Sequence, residues 1–421
     1  MNSHSVQFAG LAAANGNVAH NIATNGRWFV VNDRGPTTGA SIHVGGLVDP
    51  ADLDYRAADR HPQYRQSILE PPGPAVLLAG IWRITGDQRF IYLQALQLLI
   101  DSFMVLLVYW LSLKLFQRTS AALLASGLYA IYLPLVVVAR IPHGDAWAGF
   151  ATIAALALYL KARESSHALR WLAAVGAVIG VGAYFRPNVL ALPIAFALAA
   201  IPWSGWRRSA GLAGIPLLVA ALLLLPWTVR NYEVFHAFVP VRTSLGWTTW
   251  VGLGELPNEF GAQGTDANAV ETVLREHPRY AVGSPKFDNV LLTKSLSAIR
   301  GHPFFYGELV GRRLLESTLV PTPTATASSS RLLWLLSLGQ PILFALALIT
   351  WIAMFRRLPA QRANLALLAA VAVATVLPFA LIHLEARFIL ATSFVYMILA
   401  AYGLTEVTSW LGSRAQEAPS G

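Results

Sequence analysis

RRSAGLAGIPLLVAALLLLPWTVRNY, residues 207–232, decides the fold: two arginines, an uncharged apolar run over 209–229, then Arg230-Asn231-Tyr232. A bilayer core is crossed by about 20 apolar residues in a helix, because no water reaches the backbone there and each N–H and C=O must be satisfied within the segment. Residues 209–229 meet that demand. Working outward, further runs lie near 90–113, 119–139, 145–161, 170–184, 187–203, 332–355, 362–382 and 388–411. The expected fold class is an all-α polytopic membrane protein of about nine transmembrane helices with an extracytoplasmic mixed subdomain. Composition agrees: 55% of the 421 residues are hydrophobic, 13% are charged and the mean hydropathy is +0.51, above the range of soluble domains.

Charge orients the spans. Lys114 and Arg118, then Lys161, Arg163 and Arg170, then Arg207 and Arg208, then Arg356, Arg357 and Arg362 recur at alternate turns. Under the positive-inside bias these turns are cytoplasmic. The parity places the N-terminus, the turns near Asp145, Arg186 and Arg387, and the long stretch after Arg230 outside. The expected division is an N-terminal outer segment over 1–89, six spans over 90–229, an outer subdomain over 230–331, three spans over 332–411 and a cytoplasmic tail over 412–421. Residues 74–86 are too short to cross and carry Arg83, so they read as a helix in the outer interface with Trp82 at headgroup depth. Arg186-Pro187-Asn188 reads as a hinge between two short spans. Residues 321–330 form a Pro/Thr/Ser linker.

The net charge of +9 is spread over membrane-flanking turns instead of one face, which argues for orientation and against nucleic acid. Without cysteine, disulfides, thiol catalysis and thiolate metal sites are excluded. Phosphate-loop, dinucleotide-binding, metalloprotease and serine-hydrolase motifs are absent. What remains for chemistry is carboxylates and arginines at outer helix ends. Asp145, in the turn Ile141-Pro142-His143-Gly144-Asp145, is the first candidate for a catalytic base, with helix capping as the competing role. Glu70, before Pro71-Pro72, reads first as a helix start. Asp101 falls inside an apolar span and should face the bundle interior, or be protonated and bonded to a neighbouring helix. Outer aromatics Trp247, Trp250 and Phe260 read as a sugar platform or an interface belt.

The block from Leu225 through Arg230-Asn231-Tyr232 to Arg242-Thr243-Ser244-Leu245-Gly246-Trp247 resembles the glycosyltransferase-C superfamily, and within it the bacterial proteins similar to protein O-mannosyltransferases and aminoarabinose transferases. Glu70-Pro71-Pro72-Gly73, the Arg186-Pro187 hinge and Leu384-Glu385-Ala386-Arg387-Phe388 carry the same resemblance. It implies an inverting transferase that moves a sugar from a polyprenyl-phosphate sugar to a glycan, lipid or protein acceptor, on the outer face of the bacterial inner membrane. It also implies a phosphate clamp of Arg186, Arg230 and Arg387, with Arg140 and Arg242 in reserve and Glu385 and His383 beside it. No cofactor or metal is read from the sequence. The superfamily's first-loop carboxylate position falls on His4 within His4-Ser5-Val6-Gln7-Phe8-Ala9-Gly10-Leu11-Ala12, a departure. Either sequence upstream of Met1 is lost, His4 is the base, or the protein is inactive. Asp49, Asp52, Asp54 and Asp59 lie in the same segment, Asp54 being preferred for its neighbour Tyr55. Two other classes stay open: a transporter or flippase of lipid-linked sugars, and a non-catalytic subunit of an envelope complex.

Overall fold

A computed structural model describes residues 15, 16, 18–24, 26, 28, 30, 31, 64, 65, 68–319 and 339–417. His4, Asp54 and the other N-terminal aspartates lie outside the described residues. The described chain is helical apart from one two-residue antiparallel pairing, β1 (Val30–Val31) with β2 (Tyr64–Arg65).

The long apolar runs become helices whose ends follow local chemistry. After α1 (Pro72–Thr85), α2 (Ile91–Phe116) stops at Gln117 in the left-handed region with Lys114 in its last turn, where a cation favours the helix C-terminus. The 119–139 run is broken: α3 (Thr119–Ile131) and α4 (Leu133–Ala139) meet at a 55° bend. Pro134, which has no N–H, sits in the first turn of α4, where none is needed, and Tyr132 at the junction is extended. α5 (Asp145–Glu164) and α6 (Ala168–Ala183) are followed by extended Arg186 and a 3₁₀ turn over Pro187–Ala191, the expected hinge. α7 (Leu192–Phe235) contains the two runs 187–203 and 209–229 joined at Gly205, whose φ of 71° and ψ of 161° no side-chain-bearing residue adopts readily.

α8 (Leu245–Leu253), α9 (Asp266–Glu276), α10 (Pro285–Gly301) and α11 (Pro303–Leu319) follow, and then α12 (Gly339–Arg357), α13 (Arg362–Ile382), α14 (Ala386–Ile389) and α15 (Ser393–Glu417). Among the described residues five helices are long and apolar enough to cross a membrane, six if the bent pair is one span. The fold is that of an integral membrane protein.

Packing places the basic turns at one end. Arg163 at the end of α5 donates to Asn364 at the start of α13, and Asn364 donates to the Leu115 carbonyl at the end of α2. Lys114 pairs with Glu164, and Arg118 with Glu406. The turns at 141–144, 184–186 and 383–387 gather at the opposite end. A main apolar cluster runs through α2 to α7, α12, α13 and α15. A separate cluster of Trp250, Leu253, Phe287, Leu291 and Leu309 joins α8 to α11. Trp82 departs from the expected headgroup position: it is 2% exposed, packs edge-on against Phe90 and donates to the Arg89 carbonyl. A helical stretch over 18–24 covers it, with Ala19 in the same small cluster as Leu78 and Leu93. Protein, not lipid, satisfies that indole.

Candidate active site

The end of α7 shows what the Arg-Asn-Tyr block does. Asn231, fully buried, donates its amide to the Val239 carbonyl, Trp227 donates to Val241 and Thr228 to Pro240. These bonds hold 239–241 against the helix end, and the chain emerges with Arg242 facing inward. Three other connections converge there: Thr243 N–H donates to the Ile68 carbonyl, Gly73 N–H to the Tyr184 carbonyl, and Gln97 to the Ile141 carbonyl. Gly144 lies so close to Phe185 that a Cβ would collide with the Phe185 carbonyl oxygen. Loops far apart in sequence are thereby locked around one space.

That space is a cavity of about 170 Å³ lined by Glu70, His143, Arg186, Arg242, His383, Glu385 and Arg387, with Trp247, Asp266 and Phe388. Asp145 sits beneath it, 8% exposed, and also lines a smaller void of about 20 Å³ shared with Asp101, Tyr129 and Arg387. Asp145 Oδ1 is 2.5 Å from Arg186 Nη2, while Oδ2 is 3.9 Å from Arg387 Nε. Arg387 pairs with Glu385 at 2.7 Å. Both guanidinium groups stack on Phe388, at 4.6 and 5.2 Å from its centroid. A low-polarity floor below and a carboxylate between them fix the two cations face to face with the cavity. Arg186, 4% exposed, still has its Nε without a hydrogen-bond partner.

Glu70 Oε2 lies 3.3 Å from Arg242 and 3.4 Å from His143 Nε2. Burial alone would raise the Glu70 pKa, but the His143 hydrogen bond and the charges of Arg242, His143 and Arg186 outweigh it and hold the pKa at about 2. The helix-start role does not account for Glu70: the cap of α1 is Pro71, with no side-chain cap bond. Asp145 is likewise not the cap of α5, a place taken by Gly144, although its first-turn position favours the helix dipole.

His143 binds the two carboxylates into one unit. Its Nδ1 is 3.2 Å from Arg186 Nη2, a pure donor, and 3.3 Å from Asp145 Oδ2.

A second group lies at the rim. His383 Nδ1 is 2.5 Å from Glu255 and its Nε2 3.3 Å from Glu385. Burial disfavours the imidazolium, but hydrogen bonds to Glu255 and Glu385 prevail and raise the pKa to about 9. Burial would raise the Glu385 pKa, yet the His383 bond and the Arg387 charge carry it below the ordinary value. Glu255 also takes Arg313, 4% exposed, at 2.7 Å, and Arg313 donates to the Ala380 carbonyl. The rim is therefore an ion-pair chain from α11 through Glu255, His383 and Glu385 to Arg387.

Of the residues expected from sequence, Asp145, Arg186, Arg387, Glu385 and His383 come together here, and the reserve cation Arg242 joins them. Arg230 does not line the cavity. Its guanidinium lies over the rings of Trp227, Trp28 and Phe235 at 4.9 to 5.9 Å, because its neighbour Asn231 takes the inward position. Of the outer aromatics Trp247, Trp250 and Phe260, Trp247 alone lines the cavity, stacked on Phe287 and donating to Asp266 at 2.7 Å. Trp250 and Phe260 belong to the α8–α11 cluster. Asp101 accepts from Tyr129 of α3, the neighbouring-helix bond expected of it. Sequence reasoning passed over His143, although it stands two residues from Asp145, and over Glu255 and Arg313, which no local pattern links.

Residues 69–229 match the family model described as dolichyl-phosphate-mannose-protein mannosyltransferase. Over 146 residues, 32% of this chain, the sequence is 30% identical to the undecaprenyl phosphate-alpha-4-amino-4-deoxy-L-arabinose arabinosyl transferase of Erwinia tasmaniensis, of which it covers 26%. The fold is similar to a crystal structure of the oligosaccharyltransferase of Archaeoglobus fulgidus tethered with an acceptor peptide, with a TM-score of 0.54, 16% identity, and coverage of 95% of this chain and 46% of that one. A structure of oligosaccharyltransferase AglB from the same organism, in complex with an inhibitory peptide and a dolichol-phosphate, gives 0.51, 17%, 97% and 48%. The chain thus spans about a quarter of the curated relative and about half of these solved chains. Glu70, His143, Asp145 and Arg186 all fall inside the matched segment. Sequence over residues 69–229 and fold over nearly the whole chain together bear out its resemblance to the glycosyltransferase-C proteins.

Proposed function

We propose that the chain is an inverting membrane glycosyltransferase that moves a sugar from a polyprenyl-phosphate sugar to an acceptor on the extracytoplasmic face. One observation carries the reading: Arg186 and Arg387, both packed on Phe388, share a cavity with Glu70 and Arg242. Breaking the bond from the anomeric carbon to the phosphate oxygen leaves negative charge on the lipid phosphate. Preorganised cations in a partly water-excluded site stabilise that charge without reorganising. Arg387 and Arg186 are the clamp, Arg242 its third member, and the unpaired Arg186 Nε a donor in reserve.

Among the described residues Glu70 Oε1 accepts no hydrogen bond. It is the carboxylate oxygen open to an acceptor, and Glu70 is the general base. The acceptor O–H or N–H gives its proton to Glu70 while its heteroatom bonds to the anomeric carbon and the phosphate leaves with the electron pair. A single displacement inverts the centre. Asp145, whose Oδ1 is taken by Arg186, holds the clamp in register. Trp247, at the cavity wall beside Asp266, offers an apolar face to the sugar ring. The gathering of the basic turns at the other end of the bundle supports an extracytoplasmic position for this one under the positive-inside bias.

The test is transfer from synthetic polyprenyl-phosphate sugars by wild type, Asp145→Asn and Arg387→Ala, with product stereochemistry read by NMR. Turnover in wild type with inversion and its loss in both variants is expected. Equal turnover in all three overturns the site, and net retention overturns the single displacement.

A further inference from the structure

The largest of the cavities described here, about 420 Å³, lies at the other end of the bundle. It opens between the end of α5 (Tyr159, Ala162, Arg163), the start of α6 (Ala168, Leu172), the Gly205 turn of α7 (Trp203, Ser204, Arg208, Leu212) and the start of α13 (Ala363, Leu367). Its volume falls within the range of about 300–1,000 Å³ typical of small-molecule sites. Most of its wall is aliphatic, and Arg163 and Arg208 stand at its exposed margin. Among the described residues no carboxylate lines it. The acidic residues nearby are already engaged, Glu164 by Lys114 at 2.5 Å and Glu406 by Arg118 at 2.8 Å. Lys161 lies over Trp171 and Arg207 over Trp206, so the margin is cationic without internal compensation. Two helices, α6 and α13, also begin there and direct their positive ends toward it.

We infer that this cavity holds an anionic glycerophospholipid of the adjoining leaflet, acyl chain in the aliphatic recess and headgroup phosphate between Arg163 and Arg208. An apolar recess capped by uncompensated guanidinium groups at the membrane boundary is the chemistry that selects such a lipid: hydrocarbon burial supplies affinity, and the paired donors distinguish an anionic headgroup from a zwitterionic one. The break of α7 at Gly205, φ 71°, lies beside the recess, and Trp203, Ser204, Arg208 and Leu212 from both sides of it line the wall. The inference is independent of sugar transfer, whose proposed residues all lie at the opposite end.

Native mass spectrometry of the whole protein in detergent, after delipidation, tests it with three probes: phosphatidylglycerol, phosphatidylcholine and inorganic phosphate. Phosphatidylglycerol should be retained at least about tenfold over phosphatidylcholine, with inorganic phosphate not retained. The double variant Arg163→Gln/Arg208→Gln should lose the preference for phosphatidylglycerol. Gly211→Leu, whose added side chain enters open space in the cavity wall, should release lipid with both arginines intact. Thermal unfolding of each variant without lipid separates loss of binding from loss of fold. Equal retention of the two lipids, an unchanged preference in the double variant, or retention by Gly211→Leu overturns the proposal, and retention of phosphate alone assigns the arginines to a free anion.

Discussion

The two ends of the bundle use the same cations in opposite ways. At the candidate active end the guanidinium groups around the cavity and its rim are buried or partly buried and each meets a carboxylate: Arg186 with Asp145, Arg387 with Glu385, Arg242 with Glu70, Arg313 with Glu255. At the other end arginines and lysines are exposed, and their pairs, such as Lys114–Glu164 with 36% and 58% side-chain exposure, face solvent or headgroups. The difference is one of dielectric. Buried charge is tolerated only when matched, so matched arginines mark places where the chain accepts a desolvation cost to fix geometry. Exposed arginines answer to the membrane field and need no such partner.

The sharpest break of this comparison is Glu70→Gln. If the open oxygen of Glu70 accepts the proton, turnover falls by about 10² to 10⁴, with donor binding retained because Arg186 and Arg387 keep their own carboxylates. Unchanged turnover would move the base to a residue outside the described chain, with Asp54 and His4 first. Next comes Arg387→Ala. Removing one preorganised cation lowers turnover by about 10² to 10³ and leaves Glu385 to His383 alone. A loss confined to a raised KM, with kcat unchanged, would show that Arg387 grips ground state and transition state equally.

How far the sequence anticipated this contrast follows from the range of each interaction. Long apolar helices were legible because hydropathy is additive along the chain, as the runs at 90–113 and 362–382 illustrate. Asp145, Arg186 and Arg387 were legible because each sits at a turn between apolar runs. The bend at Pro134 and the burial of Trp82 were not, since tertiary neighbours decide them. Glu255, His143 and Arg230 depend on which way a side chain turns once loops distant in sequence have met, and no local pattern encodes that. His143 had the nearest signal, a titratable ring within the same four-residue turn as Asp145.

The rim offers a smaller test, through pH. The His383 pKa is raised to about 9 from an ordinary 6.5, so its ion pairs contribute fully below about 6.5 and are lost as pH rises through about 9. Thermal stability should therefore decline across that window, and Glu255→Gln should flatten the decline by removing the main partner. Glu70 works in the reverse sense. Its depressed pKa contributes above about 4.5 and is lost as pH falls toward about 2. A Glu255→Gln variant with the wild-type alkaline profile would detach the rim from His383.

The smallest effect belongs to the opposite end. A double-mutant cycle on Lys114 and Glu164 should return a coupling of about 1 kcal/mol or less, because both side chains are solvated and their order costs entropy. The same cycle on Arg313 and Glu255 should return several-fold more, since Arg313 Nη2 is already buried without a partner and losing Glu255 would leave a buried cation with the Ala380 carbonyl alone. Unfolding by denaturant in one detergent measures both. Equal couplings would mean that burial does not separate the two ends, and that the matched arginines around the cavity are held no more firmly than a surface pair.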